Sequence, residues 1–154
     1  MAEKTYVNVQ KFTVKAIFDS ALKGVAVAAM TKAAEKAVDK SSTLTIKAPK
    51  EKDGQALYLG GTLETLQMVD KDGQKLLVCK VVMDAGEWDI KAKKGKMSLF
   101  PKGGGKVPVD KPDDSDRVAK DVAWLLDTVV TDMITKDLLK PLEAKAKGLA
   151  KAKK

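Results

Sequence analysis

A four-residue segment, Lys-Asp-Gly-Gln, occurs twice in the middle third of the chain, at 52–55 and at 71–74. Each copy is followed by a run of apolar residues, as where a strand leaves a tight turn. A type I′ turn needs positive φ at both central residues, which Gly adopts freely and Asp tolerates. The repeat therefore predicts two hairpins and, between Leu44 and Phe100, an antiparallel β-meander.

The second turn sets a register that predicts a core face. Centring the hairpin on Asp72-Gly73 places alternate apolar residues of the two strands opposite one another. Earlier in the first strand the apolar positions are odd-numbered, and an extra residue near Glu64-Thr65 would keep them on the same face. We predict a β-bulge there. The residues of the predicted core face are Leu66, Met68, Leu77, Cys79, Val81 and Met83.

Turn signals also divide the rest of the middle third. Centring the first hairpin on Asp53-Gly54 predicts that a strand at 43–48 pairs with the strand that starts at Ala56. A turn is predicted at 85–87, followed by a period-two strand with Trp88, Ile90 and Ala92 facing inward. We interpret the glycine run 102–106 as a flexible connection, and 107–109 as a short edge piece.

Both ends of the chain have helical periodicity. Apolar residues at spacings of three and four predict an amphipathic helix from Val14 to about Ala33. The last helix follows Pro112, with Asp113 to Asp116 as capping residues. Pro141 is expected to kink or restart that helix near Lys140. The apolar stripe predicted for it consists of Val118, Val122, Leu125, Leu126, Val129, Met133 and Ile134.

These elements predict an α+β fold. It consists of an N-terminal helix, an antiparallel meander of four to six strands and a long C-terminal helix, with both helices packed on one sheet face. Residues 1–142 are expected to form one α+β domain, and residues 143–154 a basic Lys/Ala tail that is frayed or mobile. The element order loosely resembles helix-grip proteins, and Leu59 to Leu63 loosely resembles strands of small bacterial cell-envelope domains. Neither likeness contains a specific motif, and we assign no family.

The composition argues against an enzyme. The chain has no histidine, which removes His-based triads, His metal sites and the usual proton shuttle near neutral pH. Its single cysteine, Cys79, excludes an internal disulfide, and zinc sites of the Cys/His kind are excluded with it. The glycine run at 102–106 departs from a phosphate-binding loop, because Val107 and Pro108 follow its last lysine. We therefore predict no catalytic residues, no metal and no cofactor.

Charge and hydropathy indicate where the protein works. No run reaches the roughly 18 apolar residues that a membrane span needs, so we predict no membrane span. No secretory signal is evident, and a cytoplasmic location is the expectation.

The net charge is +8, from 29 Lys and Arg against 21 acids, and Arg117 is the one arginine. A lysine-only surface favours nonspecific attraction to polyanions over base-specific recognition.

Three functions are compatible with these features. The first is a non-enzymatic interaction or self-assembly module that contacts other chains or copies of itself as a homo-oligomer, since the second face of the sheet is also apolar. The second is nonspecific binding of nucleic acid or another polyanion. The third is an apolar ligand carrier with Met68, Met83, Trp124 and Met133 around a cavity. The candidate partner-binding residues are Val69, Leu76, Val78 and Val82, and the candidate polyanion-binding residues are Lys102, Lys106, Lys145, Lys147, Lys151 and Lys153.

Overall fold

A computed structural model describes residues 4–49 and 54–152, with side chains as far as residue 149. It confirms the α+β class, with helices at both ends of the chain packed on one face of a curled sheet. The strands are β1 (Thr5–Val9), β2 (Thr13–Val14), β3 (Leu44–Thr45), β4 (Gln55–Lys71), β5 (Gln74–Asp89), β6 (Lys94–Leu99) and β7 (Lys102–Val109). The helices are α1 (Lys23–Asp39), α2 (Ser115–Met133) and α3 (Leu139–Ala152).

Two long strands, β4 and β5, form the centre of the sheet. Asp72 has φ 53° and Gly73 has φ 83°, which confirms the predicted tight turn between them. The β4–β5 register shifts between Leu63 and Thr65, which confirms the predicted bulge. Strands β6 and β7 both pair with β5 in antiparallel orientation, β6 along 85–89 and β7 along 75–82. They therefore extend end to end along the same edge of β5.

The N-terminal segment lies along the other edge of β4. Strands β1 and β2 pair with β4 in parallel, and β3 pairs with β1 in parallel. The sheet is therefore mixed, with seven strands among the described residues instead of four to six. The predicted pairing of 43–48 with the strand after Ala56 is wrong, because β1 occupies the edge of β4 that it would need. Asp53, in the predicted first turn, lies outside the described residues.

The first helix begins later than predicted. Residues Thr13 and Val14 form strand β2, and helix α1 starts at Lys23 after a short 3-10 turn at Ser20–Leu22. The backbone amide of Phe18 donates to the carbonyl of Leu66 at 3.0 Å, whereas in a helix that starts at Val14 it would donate to the carbonyl of Val14. The buried stripe of α1 consists of Ala26, Met30, Ala33, Ala34, Ala37 and Val38.

The C-terminal helix follows its predicted pattern. All seven residues of the predicted α2 stripe are buried, and the Asp114 side chain accepts from the amide of Arg117 at 3.2 Å as the N-cap. A π-helical turn at Ile134–Leu138 then separates α2 from α3. It lies directly before Pro141, whose ring nitrogen cannot donate to the carbonyl of Asp137. The interruption thus falls about one turn before the predicted position.

The first half of the predicted tail lies on the domain. Leu142 is fully buried and Ala146 is 3% exposed, both within the main core cluster. The Glu143 carboxylate accepts from the hydroxyl of Ser41 at 2.7 Å and from that of Thr43 at 3.2 Å. These contacts attach α3 to the segment that leads into β3.

The second half of β5 corrects two sequence expectations. The strand runs through 85–87 without a turn, because Gly86 pairs with Tyr58 of β4 and with Met97 of β6. As a result Trp88 does not face the helices. It shares the opposite face with Tyr58, and the two rings stack at a centroid distance of 5.6 Å.

Candidate functional site: the outer sheet face and the β7 groove

The sheet face opposite the helices carries apolar side chains that lie outside the core cluster. On β5, Leu77, Cys79, Val81, Met83 and Ala85 point into the core, and the residues between them point outward. Four apolar outward residues, Val69, Leu76, Val78 and Val82, are half-buried and stand outside the core cluster. We call this surface the outer face. The N-terminal segment could in principle have covered these four residues, but its strand β1 pairs with the edge of β4 instead, and the four residues lie outside the core cluster.

Three lysines lie among these apolar residues. Lys106 pairs with Val78 and Lys102 pairs with Val82, while Lys80 lies opposite Gly104 between them. The Cβ atoms of cross-strand neighbours on one face are about 5 Å apart, so the three lysines are attached around Gly104, which has no side chain. All three are exposed, and the ion pairs found in the described part of the chain involve other residues. The fold thus joins Lys102 and Lys106, predicted to bind polyanions, to the residues predicted to bind partners.

The far end of the outer face is aromatic and contains one carboxylate. Tyr58 and Trp88 stack there, and Asp84 pairs with Gly60 beside them. Burial raises the pKa of the Asp84 carboxyl above its ordinary value of 3.8, although its own backbone amide partly offsets this. Burial, with a smaller contribution from the Asp84 charge, likewise raises the pKa of the Tyr58 hydroxyl. The outer face is therefore basic in its middle and acidic at its aromatic end.

The raised pKa of Asp84 predicts a pH-dependent effect of Asp84→Asn. The folded state binds the Asp84 proton more tightly than the unfolded state, so its contribution to stability is lost as pH rises through the folded pKa. Asparagine cannot ionise. We expect Asp84→Asn to melt above the wild type at pH 7, and the difference to vanish as pH falls to about 3.8.

Melting curves from pH 3 to pH 8 measure this effect. The control is Asp70→Asn, which removes an exposed ion pair with Lys75 at 2.8 Å and should lower stability by less than about 1 kcal/mol. A melting difference for Asp84→Asn that stays constant with pH would contradict the assignment.

The glycine run at 102–106 belongs to strand β7, so its interpretation as a flexible connection is wrong. A Cβ built at Gly103 would lie 2.7 Å from Cγ of Met133, and one built at Gly105 would lie 2.9 Å from Cγ2 of Val129. Since Met133 and Val129 belong to α2, the glycines let that helix pack closely on β7. The run is thus part of the rigid fold.

An open groove of about 310 Å³ lies between β7 and α2. The backbone of 102–106 forms one wall. The other wall carries Trp124, Thr128 and Asp132, spaced by four on one side of α2, and Lys136 of the following π-helical turn. Trp124 is 59% exposed. We call this feature the β7 groove. Trp124 and Met133, two of the four residues predicted around a ligand cavity, both line this groove, whereas Met83 is fully buried in the core.

The remaining predicted lysines lie elsewhere. Lys145, Lys147 and Lys151 belong to α3, which contacts β4, whereas Lys102 and Lys106 belong to β7. Lys153 lies outside the described residues. The structure therefore divides the predicted polyanion-binding set between two elements.

Among residues 4–49 and 54–152, no group of three or more His, Cys, Asp or Glu side chains is arranged to hold a metal ion. Within the same ranges, no helix has both the length and the apolar character to cross a bilayer.

Comparisons with known proteins identify the fold. No family model matches the sequence, and no curated protein resembles it significantly in sequence. Among solved structures, protein XCC0632 from Xanthomonas campestris, described as DUF330, superposes with a TM-score of 0.57 at 13% identity, covering 92% of this chain and 88% of that one. The hypothetical protein CT253 from Chlamydia trachomatis has a TM-score of 0.49 at 11% identity, covering 95% and 97%. A PelC dodecamer from Paraburkholderia phytofirmans has 0.44 at 8%, covering 87% and 89%.

The likeness to the Xanthomonas protein shows a shared fold and nothing further, since the identity is 13%. The chain is therefore an α+β module with a curled mixed sheet and helices on one face.

Proposed function

We propose that the protein is a non-enzymatic self-assembly module in which the outer face of one copy packs on the outer face of another. The observation that carries the proposal is the half-buried aliphatic group Val69, Leu76, Val78 and Val82, which lies on the outer face and outside the core cluster. Such patches on a folded domain mark contact surfaces.

The size of the outer face supports a second copy as its occupant. From Leu76 to Trp88 the face is about 40 Å long, at about 3.3 Å per residue, and three strands make it about 15 Å wide. Two such faces bury roughly 1,200 Å² together, which is the lower limit of a standard stable interface.

The arrangement of side chains supports it too. An antiparallel face-to-face pair brings the aliphatic end of one copy against the aromatic end of the other. The same arrangement moves Asp84 of each copy towards the lysines of the other, which compensates a carboxylate that burial disfavours. A two-fold axis therefore makes the face complementary to itself.

The lysines predict an unusual salt dependence for this assembly. Lys80, Lys102 and Lys106 outnumber Asp84 on the face, so two copies repel at low ionic strength. Salt screens the repulsion and leaves the apolar contact. We expect association to strengthen by about tenfold between roughly 0.05 M and 0.5 M salt. Polyanion binding would weaken over the same range.

Light scattering across protein concentration and salt measures the mass, and one substitution locates the contact. Val78→Lys should weaken association at least about tenfold, or about 1.4 kcal/mol. Ala28→Lys adds the same charge at an exposed position of α1 and serves as the matched control. A monomer at every salt concentration would overturn the proposal, and equal effects of the two substitutions would exclude the outer face as the contact.

A further inference from the structure

The outer edge of β7 carries backbone groups that the described chain leaves without a strand partner. Strand β7 pairs with β5 on one side, and on its other side no strand of residues 4–49 and 54–152 follows. Every second residue of an antiparallel edge strand points its N–H and C=O away from the sheet. An edge of eight residues, Lys102–Val109, is a template to which an extended segment can add.

The β7 groove lies directly beside this edge and contains an exposed aromatic ring. Trp124 lines the groove at 59% exposure, and Phe100, 60% exposed, precedes the first residues of β7. These are two of the three large apolar side chains exposed in the described chain; the third is Phe18. Exposed Trp in a groove is typical of residues that dominate binding energy. The apolar contact and the hydrogen-bonding edge thus occur at one place.

The charges at this edge argue against a second copy of β7 as the added strand. In an antiparallel pair of two β7 strands centred on Gly104, Lys102 of one lies opposite Lys106 of the other. Like charges directly opposite each other destabilise strand pairing. Pro108 also removes a donor near the end of the edge.

The same charges specify the chemistry of a suitable partner. A segment with Asp or Glu at every second position places its carboxylates beside Lys102 and Lys106. The intervening side chains of that segment then point towards α2, where Trp124 offers apolar contact and Thr128 a hydroxyl. A segment in which acidic and apolar residues alternate therefore matches the lysines on one side and helix α2 on the other.

We propose that the outer edge of β7 and the β7 groove bind an extended segment of a partner protein by strand addition, and that this segment alternates acidic with apolar residues. The site shares Lys102 and Lys106 with the outer face but is centred on the free edge of β7 and Trp124, and it does not depend on the self-assembly proposal. Backbone hydrogen bonds hold the segment, while Lys102, Lys106 and Trp124 select its sequence.

Fluorescence anisotropy with a synthetic peptide tests the proposal. The probe is a labelled peptide of about nine residues in which Asp alternates with Val. We expect saturable binding that Lys102→Glu combined with Lys106→Glu weakens at least tenfold, and that Trp124→Ala weakens about fivefold. The matched control, Lys36→Glu combined with Lys140→Glu, makes the same charge change at exposed positions of α1 and α3 and leaves β7 and the β7 groove intact.

Two further probes separate strand addition from simple attraction. The same peptide with alternate amides N-methylated keeps its charge but cannot form the ladder, and it should lose at least tenfold in affinity. A short DNA duplex of similar charge should not compete. The proposal fails if the acidic peptide shows no binding below about 1 mM, if N-methylation has no effect, or if DNA binds as tightly. Since Trp124 lies off the outer face, Trp124→Ala should leave the oligomeric mass unchanged, which keeps this failure distinct from failure of the self-assembly proposal.

Discussion

Replacing Gly86 with valine is expected to lower the free energy of unfolding by about 3 kcal/mol, the upper end of the usual range for overpacking. Gly86 is buried in β5 and lies against the backbone of the neighbouring strand β6. A Cβ built there would lie 2.8 Å from Cα of Met97 and still closer to the backbone of Lys96. Backbone atoms cannot rotate aside as a long side chain can, so β6 must move away from β5.

Urea unfolding followed by circular dichroism measures this loss. The controls are Gly24→Ala and Gly148→Ala, two helical glycines where a new Cβ meets nothing within 4 Å. Those changes should leave stability unchanged or raise it by up to about 1 kcal/mol. If Gly86→Val stays within about 0.5 kcal/mol of the wild type, β6 does not pack on this glycine as described.

Local sequence signals were sufficient to predict the features that depend only on local backbone geometry. The turn at Asp72-Gly73 requires positive φ at both residues, and this chain offers that dipeptide between two apolar runs. The bulge near Thr65 follows from the switch of the apolar positions from odd to even numbers. Without an extra residue there, the apolar side chains after Thr65 would point to the opposite face of the sheet. The α2 stripe likewise follows from its period.

Glycine was the signal most often misinterpreted. Gly86 suggested a turn and the run at 102–106 suggested flexibility, yet all of these residues lie inside strands. Their glycines are explained by what passes close to them, β6 over Gly86 and helix α2 over Gly103 and Gly105. A contact between elements distant in sequence leaves no trace in the local pattern, so propensity alone could not distinguish the two causes.

The parallel pairing of the N-terminal strands was missed for a related reason. Strands β1 and β2 are five and two residues long, and a parallel partner is reached by a crossover through α1 instead of a turn. No short-range signal sets such a register. The candidate site was predictable only in part. The alternation of apolar residues indicated Val69, Leu76, Val78 and Val82. Only the pairing of β7 with β5 showed that Lys102 and Lys106 lie among them.

Introducing a charge at Ala146 is expected to have the other large effect, because it tests whether α3 is part of the folded unit. Ala146 is 3% exposed within the main core cluster, next to the fully buried Leu142. A carboxylate at this buried position would lose most of its hydration. Ala146→Asp should therefore cost about 3 kcal/mol or more, either through global destabilisation or through release of α3.

Ala144→Asp is a matched control, since Ala144 is exposed on the same helix and the substitution adds the same charge. It should change stability by less than about 0.5 kcal/mol. Urea unfolding gives the difference, and tryptic cleavage after Lys145 and Lys147 reports whether α3 has undocked. If the two variants unfold alike, residues 143–149 contribute nothing to the core, and the boundary predicted at residue 142 holds. A large difference places that boundary beyond Ala146, and then the contact between Glu143 and Ser41 is part of what holds the C-terminal helix on the sheet.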